Sequence, residues 1–339
     1  MVRHSVRSAL FCLVLFPGLA AAEPVKLKFA YFSSDRTMTY RAAIKPFVDA
    51  VNAAGTGVVE IEVGISGTLG KGPANQLQLV RDGRADLAFI IPGYTPDQFP
   101  DTAVTELPGI FSGIREATVV YTALIDAKVL RGYDDLIVIG AFATEPESIH
   151  TRPPAASLED LKGMRIRVNN VVQGAALTAL GMVPVQMPIN QASIAIGSGK
   201  LDGAMVAPSP LTEFGIARVT PNHFMLGVSS APLAVVMSRQ KFESLPEQAR
   251  NVLRRFDREW TATRYIEVYR AENEKALEAL KRDSNRTVVT PSASDAARAR
   301  SVFKAEVEAW SASDPRHREL LMKMTEQIDK FRDRTVGRQ

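Results

Sequence analysis

Apolar and polar residues alternate as the folded part of the chain begins. Val25, Leu27, Phe29 and Tyr31 take one side and Lys26 and Lys28 the other, which predicts a strand over residues 25–32. Apolar residues then recur at helical spacing over 39–53 and stop at Gly55, and residues 58–65 return to a strand pattern. A glycine-rich loop at 67–73 leads into a helix that runs to about Arg81. Residues 86–91 are almost wholly apolar, as suits a strand in a sheet covered on both faces. Strands alternating with helices in this way predict an α/β architecture.

A second strand-rich section starts near Ile137. It continues through 148–151, 164–168 and 203–206, with a further apolar strand at 233–237. Residues 246–281 then read as one helical tract, longer than the usual globular helix and able to span two lobes. The charged tail from Ser292 is also helical. The length fits roughly two domains. There is no internal repeat, low-complexity segment or flexible linker, so two lobes would be joined by strands and helices that cross between them.

Residues 1–22 have the layout of a secretory signal peptide. Arg3, His4 and Arg7 precede an apolar stretch from Ala9 to Ala20, and small residues end at Ala22. The stretch is short and interrupted by Pro17 and Gly18, so it does not suit a membrane anchor. Cleavage would remove the single cysteine, Cys12, and with it any disulfide or thiol chemistry. It would also take the formal net charge from +4 to +2 by removing Arg3 and Arg7. No basic run is interleaved with aromatics, which argues against nucleic acid as a partner.

The segment 164–168 carries the sharpest chemistry. Met164, Ile166 and Val168 alternate with Arg165 and Arg167, so a strand here has one apolar face and one bearing two guanidiniums. A guanidinium held on a strand is a rigid fork of donors matched to a carboxylate. Asn169 and Asn170 follow as further amide donors or as turn residues. The loop 67–72 lacks both the Walker and the dinucleotide spacing and reads as a turn. His4, His150, His223 and His317 are scattered with no partner at metal-ligand spacing, so no metal or other cofactor is expected. Ser238 and Lys241 form an unsupported Ser-x-x-Lys pair, and no set of residues calls for catalysis. Phe32, Ile90, Ile91 and Val206 fall at the carboxyl ends of predicted strands, where open α/β sheets bind ligands, and plain core is the competing reading.

These motifs, in this order, resemble the periplasmic substrate-binding proteins of TRAP transporters (tripartite ATP-independent periplasmic transporters), the DctP-type family. The resemblance runs through Leu27-Lys-Phe-Ala30, Gly67-Thr-Leu-Gly70, Gly83-Arg-Ala-Asp-Leu-Ala-Phe89, Gly199-Lys-Leu-Asp-Gly203 and Phe242-Glu-Ser-Leu-Pro246. Its strongest part is Leu161-Lys-Gly-Met-Arg-Ile-Arg-Val168. It implies a non-enzymatic, monomeric periplasmic receptor with two α/β lobes around a cleft and a long helix across both. The lobes would be 23–145 with 233–273 and 146–232 with 274–339. The arginine matching Arg167 would pair with a substrate carboxylate, and the ligand would pass to a small and a large membrane subunit.

The chain also departs from that family. Many members carry an arginine in the segment before the Arg167 strand, but residues 140–148 have none. Polar positions of sugar-acid-binding members correspond to Phe32, Ile91 and Val206. Such replacements disfavour hydroxylated ligands. The expectation is a monocarboxylate with an apolar or aromatic body, held by two parallel hydrogen bonds from Arg167 with help from Asn170, and walled by Phe32, Ile90, Ile91, Met187 and Val206. The same chain admits two rivals, a sensor protein presenting a ligand to a signalling partner and a periplasmic hydrolase.

Overall fold

The computed structural model describes residues 23–336, so the export segment expected at 1–22 lies outside the described residues. The strands are β1 (Val25–Ala30), β2 (Val59–Gly64), β3 (Leu87–Ile90), β4 (Leu136–Ala143), β5 (Ser148–Thr151), β6 (Arg165–Val168), β7 (Val183–Gln186), β8 (Gly203–Val206), β9 (Asn222–Phe224), β10 (Pro232–Ser238) and β11 (Thr287–Val289). They form two sheets, ordered β2-β1-β3-β10-β4 and β11-β9-β5-β8-β6-β7. The helices are α1 (Lys45–Ala54), α2 (Gln76–Arg81), α3 (Ile114–Asp126), α4 (Val171–Ala179), α5 (Ile189–Gly197), α6 (Pro208–Glu213), α7 (Arg239–Ser244), α8 (Glu247–Arg254), α9 (Glu259–Arg282), α10 (Ala293–Ser313) and α11 (Pro315–Val336).

In the first sheet β1 runs parallel to β2 and β3, and β10 lies antiparallel between β3 and β4. Both β3 and β10 are apolar because cores cover both faces. Leu87, Phe89 and Ile91 face one core, while Ala88 and Ile90 face the other. In the second sheet β6 lies between and parallel to β7 and β8. Ile166 and Val168 point into one core, and Ala204 and Val206 of β8 into the opposite one.

Three connections join the sheets. Residues 144–147 lead from β4 to β5, and residues 225–231 lead back from β9 to β10. The two crossings pair with each other: Thr144 N donates to Ala231 O at 3.0 Å, Glu147 N to Ser229 O at 2.8 Å, and Val228 N to Glu147 O at 2.7 Å. The third connection is α9. Near its start Thr261 donates to Ile139 O at 3.0 Å, and Tyr265 stacks on Phe142 at 4.2 Å between ring centres. Gly140 permits this approach, since a Cβ there would lie 2.5 Å from the Thr261 hydroxyl. Further along, Asn273 accepts from Ser209 N of α6 at 2.9 Å, and Leu280 enters a core of the second sheet.

Two expectations need correction. The tract 246–281 is not one helix. α8 ends at Arg254, and α9 starts after Arg258, whose φ of 50° turns the chain. Arg258 N donates to Ile139 O on the edge strand β4 at 2.5 Å, so the break ties the helix start to an edge carbonyl. The tail is also shared between the sheets. Ala299 and Phe303 of α10 pack with the second sheet, whereas Leu320, Met324 and Ile328 of α11 pack with the first. Apolar spacing alone carries no information about which of two cores a surface helix covers.

Candidate functional site

At the carboxyl end of β6 the chain turns through Asn169 and Asn170 into α4. Asn170 caps that helix, its Oδ1 accepting from Gln173 N at 3.0 Å. The two arginines of β6 have different surroundings. Arg165 is partly exposed and paired with Asp202 through bonds of 2.9 and 2.8 Å. Arg167 is 0% exposed. Its Nε donates to Met187 O at 2.8 Å, and its Nη2 donates to Tyr94 Oη at 2.7 Å and to Asn169 Oδ1 at 2.5 Å. Its Nη1 has only a long bond of 3.5 Å to Met205 O.

Tyr94 reaches Arg167 from the first sheet, just past β3. Its hydroxyl accepts from Arg167 Nη2 and, at 3.0 Å, from Ile189 N, while its own proton faces Asn169 Oδ1 at 3.4 Å. Asn169 Nδ2 and Gln173 Nε2 each donate to Glu147 Oε2 at 3.2 Å. Arg167 and the crossing carboxylate Glu147 are thus linked through Asn169. Burial pushes the Glu147 carboxyl up to about 7, with the nearby Arg167 pulling the other way. Burial likewise raises the Tyr94 hydroxyl, which keeps it a neutral donor. Glu106 lies deeper, beside Asn170 and Gly93, and burial raises it well above the usual carboxylate range.

Tyr94, Asn169 and Glu147 border a cavity of about 50 Å³ between the sheets. Phe32, Phe89, Ile91 and Tyr94 wall it from the first sheet, and Asn169, Ile189, Val206 and Glu213 from the second. Thr144, Glu147 and Ala231 of the crossings and Tyr269 of α9 complete much of the lining. The walls are mainly aromatic and aliphatic, with few polar groups, as is usual for small-molecule sites.

The structure brings Phe32, Ile91 and Val206 together in this lining. Arg167 lies behind the wall and is bonded to two of its members, Tyr94 and Asn169. Three expected residues are elsewhere. Ile90 points to the opposite core because β3 alternates, and its neighbour Phe89 takes the wall position. Met187 packs against a core of the second sheet and contributes its carbonyl to Arg167. Asn170 uses its side-chain oxygen for the α4 cap, and its amide nitrogen adjoins Glu106 and Gly93 rather than the cavity. Two parallel bonds from Arg167 are also not free, since Nε and Nη2 are both engaged.

Tyr94, Glu147, Glu213 and Tyr269 escaped sequence reasoning. Tyr94 had one usable signal, a position just past the carboxyl end of a predicted strand. Glu147 and Glu213 had none, being acids in segments without periodicity. His150 and His223 form a buried pair, Nδ1 to Nδ1 at 2.9 Å, with His150 Nε2 at 3.0 Å from Val206 O. That network explains them as structural. Among the described residues no cluster of three or more potential ligands could hold a metal.

Two α/β lobes enclosing a small, mostly apolar cavity define the class of two-lobed solute-binding proteins. Residues 29–314 match bacterial extracellular solute-binding protein family 7 (DctP), and the chain belongs to that family. It is 26% identical over 278 residues to the C4-dicarboxylate-binding periplasmic protein DctP of Rhodobacter capsulatus, covering 77% of this chain and 79% of the relative. A marine-metagenome TRAP solute-binding protein specific for aromatic acid ligands, solved with metahydroxyphenylacetate, superposes with a TM-score of 0.83 at 25% identity. The match covers 90% of this chain and 99% of that one. A TRAP solute-binding protein of Rhodoferax ferrireducens, solved with copurified benzoate, gives a TM-score of 0.84 at 22% identity over 92% and 99% of the two chains. The protein is therefore a TRAP-type solute receptor and not an enzyme. No helix among the described residues is long and apolar enough to cross a membrane.

Proposed function

We propose that the protein captures a small organic monocarboxylate with an aromatic or apolar body and delivers it, in the periplasm, to the membrane subunits of a TRAP transporter. The observation that carries this reading is Arg167, a wholly buried guanidinium bonded to the wall of an otherwise mainly apolar cavity. Its Nη1 is its least engaged donor, and the Tyr94 hydroxyl proton is used only at 3.4 Å. These two donors would take the ligand carboxylate. Both strengthen when water is excluded.

Phe32, Phe89, Ile91 and Val206 would hold the body of the ligand. An aromatic acid agrees with the ligand of the marine-metagenome relative. A dicarboxylate, the ligand class of the Rhodobacter relative, fits less well. Its second carboxylate would meet Glu147 or Glu213, and among the described residues no cation other than Arg167 is hydrogen-bonded to the lining side chains. Tyr94 and Arg167 belong to different sheets, so a ligand touching both favours the closed arrangement.

A thermal-shift screen of residues 23–339 against organic acids tests the proposal. A ligand at a hundred times its Kd adds about 2.7 kcal/mol to the folded state. The expected result is a large shift with aromatic monocarboxylates that Arg167→Ala abolishes. Shifts confined to dicarboxylates, or shifts that survive in Arg167→Ala, would overturn it.

A further inference from the structure

The cavity has a second polar feature. Glu213, at the end of α6, lines it. Its Oε1 accepts from Met38 N, across from the other sheet, and lies 3.5 Å from the Ser209 hydroxyl. Its Oε2 has no hydrogen-bond partner among the described residues. Tyr269 of α9 lines the same cavity, is 1% exposed, and has a hydroxyl with no well-formed hydrogen bond among the described residues, only a weak approach to the Tyr265 hydroxyl. Its ring is held rigidly by stacking on Tyr265 at 4.8 Å between centres, and Tyr265 stacks in turn on Phe142. Burial raises Glu213 to about 7, and the charged groups that act most on it are Arg41 and Glu272. For Glu147 that group is Arg167. Glu213 thus belongs to a different electrostatic neighbourhood from the arginine.

A buried hydroxyl without a partner, facing a cavity, costs about 1–3 kcal/mol unless something fills it. Above pH 7 the Glu213 carboxylate on the same cavity wall can only accept, and a phenol can both donate and accept. One ligand group satisfies both, a hydroxyl that donates to Glu213 and accepts from Tyr269. We infer that Glu213 and Tyr269 form a second ligand-binding point, which selects carboxylic acids bearing a ring hydroxyl remote from the carboxylate. The selection is a contrast in pairing: the hydroxylated acid satisfies both groups, and its parent leaves both bare. The inference rests on the proposed capture of an aromatic carboxylate beside Arg167 and adds a specificity residue pair to it, so that the disfavour for hydroxyls expected from Phe32, Ile91 and Val206 applies to the part of the wall those three form and not to the Glu213 and Tyr269 part.

Isothermal titration of the mature protein with benzoate and phenylacetate, and with their ring-hydroxy and ring-methoxy derivatives at each position, tests this. At least one hydroxy isomer should bind about tenfold or more tighter than its parent and its methoxy counterpart, the worth of a hydrogen bond to a charged group. Glu213→Gln keeps an acceptor for Met38 N, and Tyr269→Phe keeps the ring stacked on Tyr265. Each should erase that preference, read as the ratio of hydroxy-acid to parent-acid affinity within the same variant. If the parent acids bind through Arg167 but no hydroxy isomer is preferred, the second binding point is wrong and the carboxylate reading stands. Equal losses for parent and hydroxy acids in both variants would also overturn it, leaving Glu213 as a tie to Met38 alone. If none of these acids binds, both readings fall.

Discussion

The two ends of β6 place the same side chain in opposite roles. Arg165 and Arg167 are two residues apart and project from the same side of one strand. Arg165 sits at the outer end, partly exposed and closed into a pair with Asp202. Arg167 sits at the inner end, sealed by Tyr94, Asn169 and the Met187 carbonyl, with a carboxylate one hydrogen-bonded residue away. An exposed pair is screened and worth little, whereas a buried charge acts strongly on whatever meets it. The lesson is that position along the strand, not residue type, separates a surface fastener from a binding group.

The largest test of this contrast is on affinity. Arg167→Ala should weaken binding of the cognate acid by about 2–5 kcal/mol, because the carboxylate is left buried without its partner. Arg167→Lys should also be severe, since one ammonium cannot serve Met187, Tyr94, Asn169 and a ligand together. Arg165→Ala should leave affinity within about twofold, as expected for a screened surface pair. Titration calorimetry on the three variants decides it, and equal losses at both arginines would break the comparison.

The next effect concerns Glu147. An anionic ligand at Arg167 favours the protonated form of Glu147, whose free carboxyl already stands at about 7. Binding should then take up a proton. Affinity should be flat below pH 7 and fall by up to about tenfold per unit above it. In Glu147→Gln the decline should vanish, with tighter binding than wild type at pH 8. A wild-type affinity that does not change between pH 6 and 8 would show that Glu147 is not coupled to the ligand.

A smaller loss is expected at Tyr94. Removing its hydroxyl in Tyr94→Phe deprives the ligand of one donor, leaves Ile189 N without its acceptor and leaves Arg167 Nη2 with Asn169 Oδ1 alone. About tenfold weaker binding is expected from one such bond. Unchanged binding would mean that the carboxylate sits elsewhere on Arg167.

The smallest effect is on the stability of the free protein against pH. Glu147 and Glu213 are both raised from 4.5 to about 7, so their contribution is complete below 4.5 and is lost as pH rises through 7. His150 and His223 are lowered from 6.5 to about 3 and about 4, so theirs is complete above 6.5 and is lost as pH falls toward 4 and 3. The melting temperature should therefore peak between about pH 4.5 and 6.5 and be lower at pH 8 than at pH 6. A protein most stable at pH 8 would show that these groups do not dominate.

Much of the site was readable in advance, but unevenly. Arg167 stood out because an arginine in a strand with apolar neighbours on the alternate face has few roles. Phe32, Ile91 and Val206 were found from their places at strand ends. Ile90 was misplaced because two adjacent residues of one strand cannot share a face. Asn170 looked like a donor to the ligand, but its amide nitrogen adjoins Glu106 and Gly93, away from the cavity lining. The long helix was seen, but not its break at Arg258, which depends on a carbonyl of a distant edge strand.

By itself the sequence determined the alternation of strands and helices, the family and the arginine. Each is a local pattern, set by period, composition or a short ordered motif. Only the tertiary structure decided that Tyr94, Glu147, Glu213 and Tyr269 meet around one cavity, with Arg167 behind its wall. These residues come from two sheets, a crossing segment and the bridging helix. Their meeting depends on how the lobes are paired and joined, and one-dimensional periodicity does not encode that pairing.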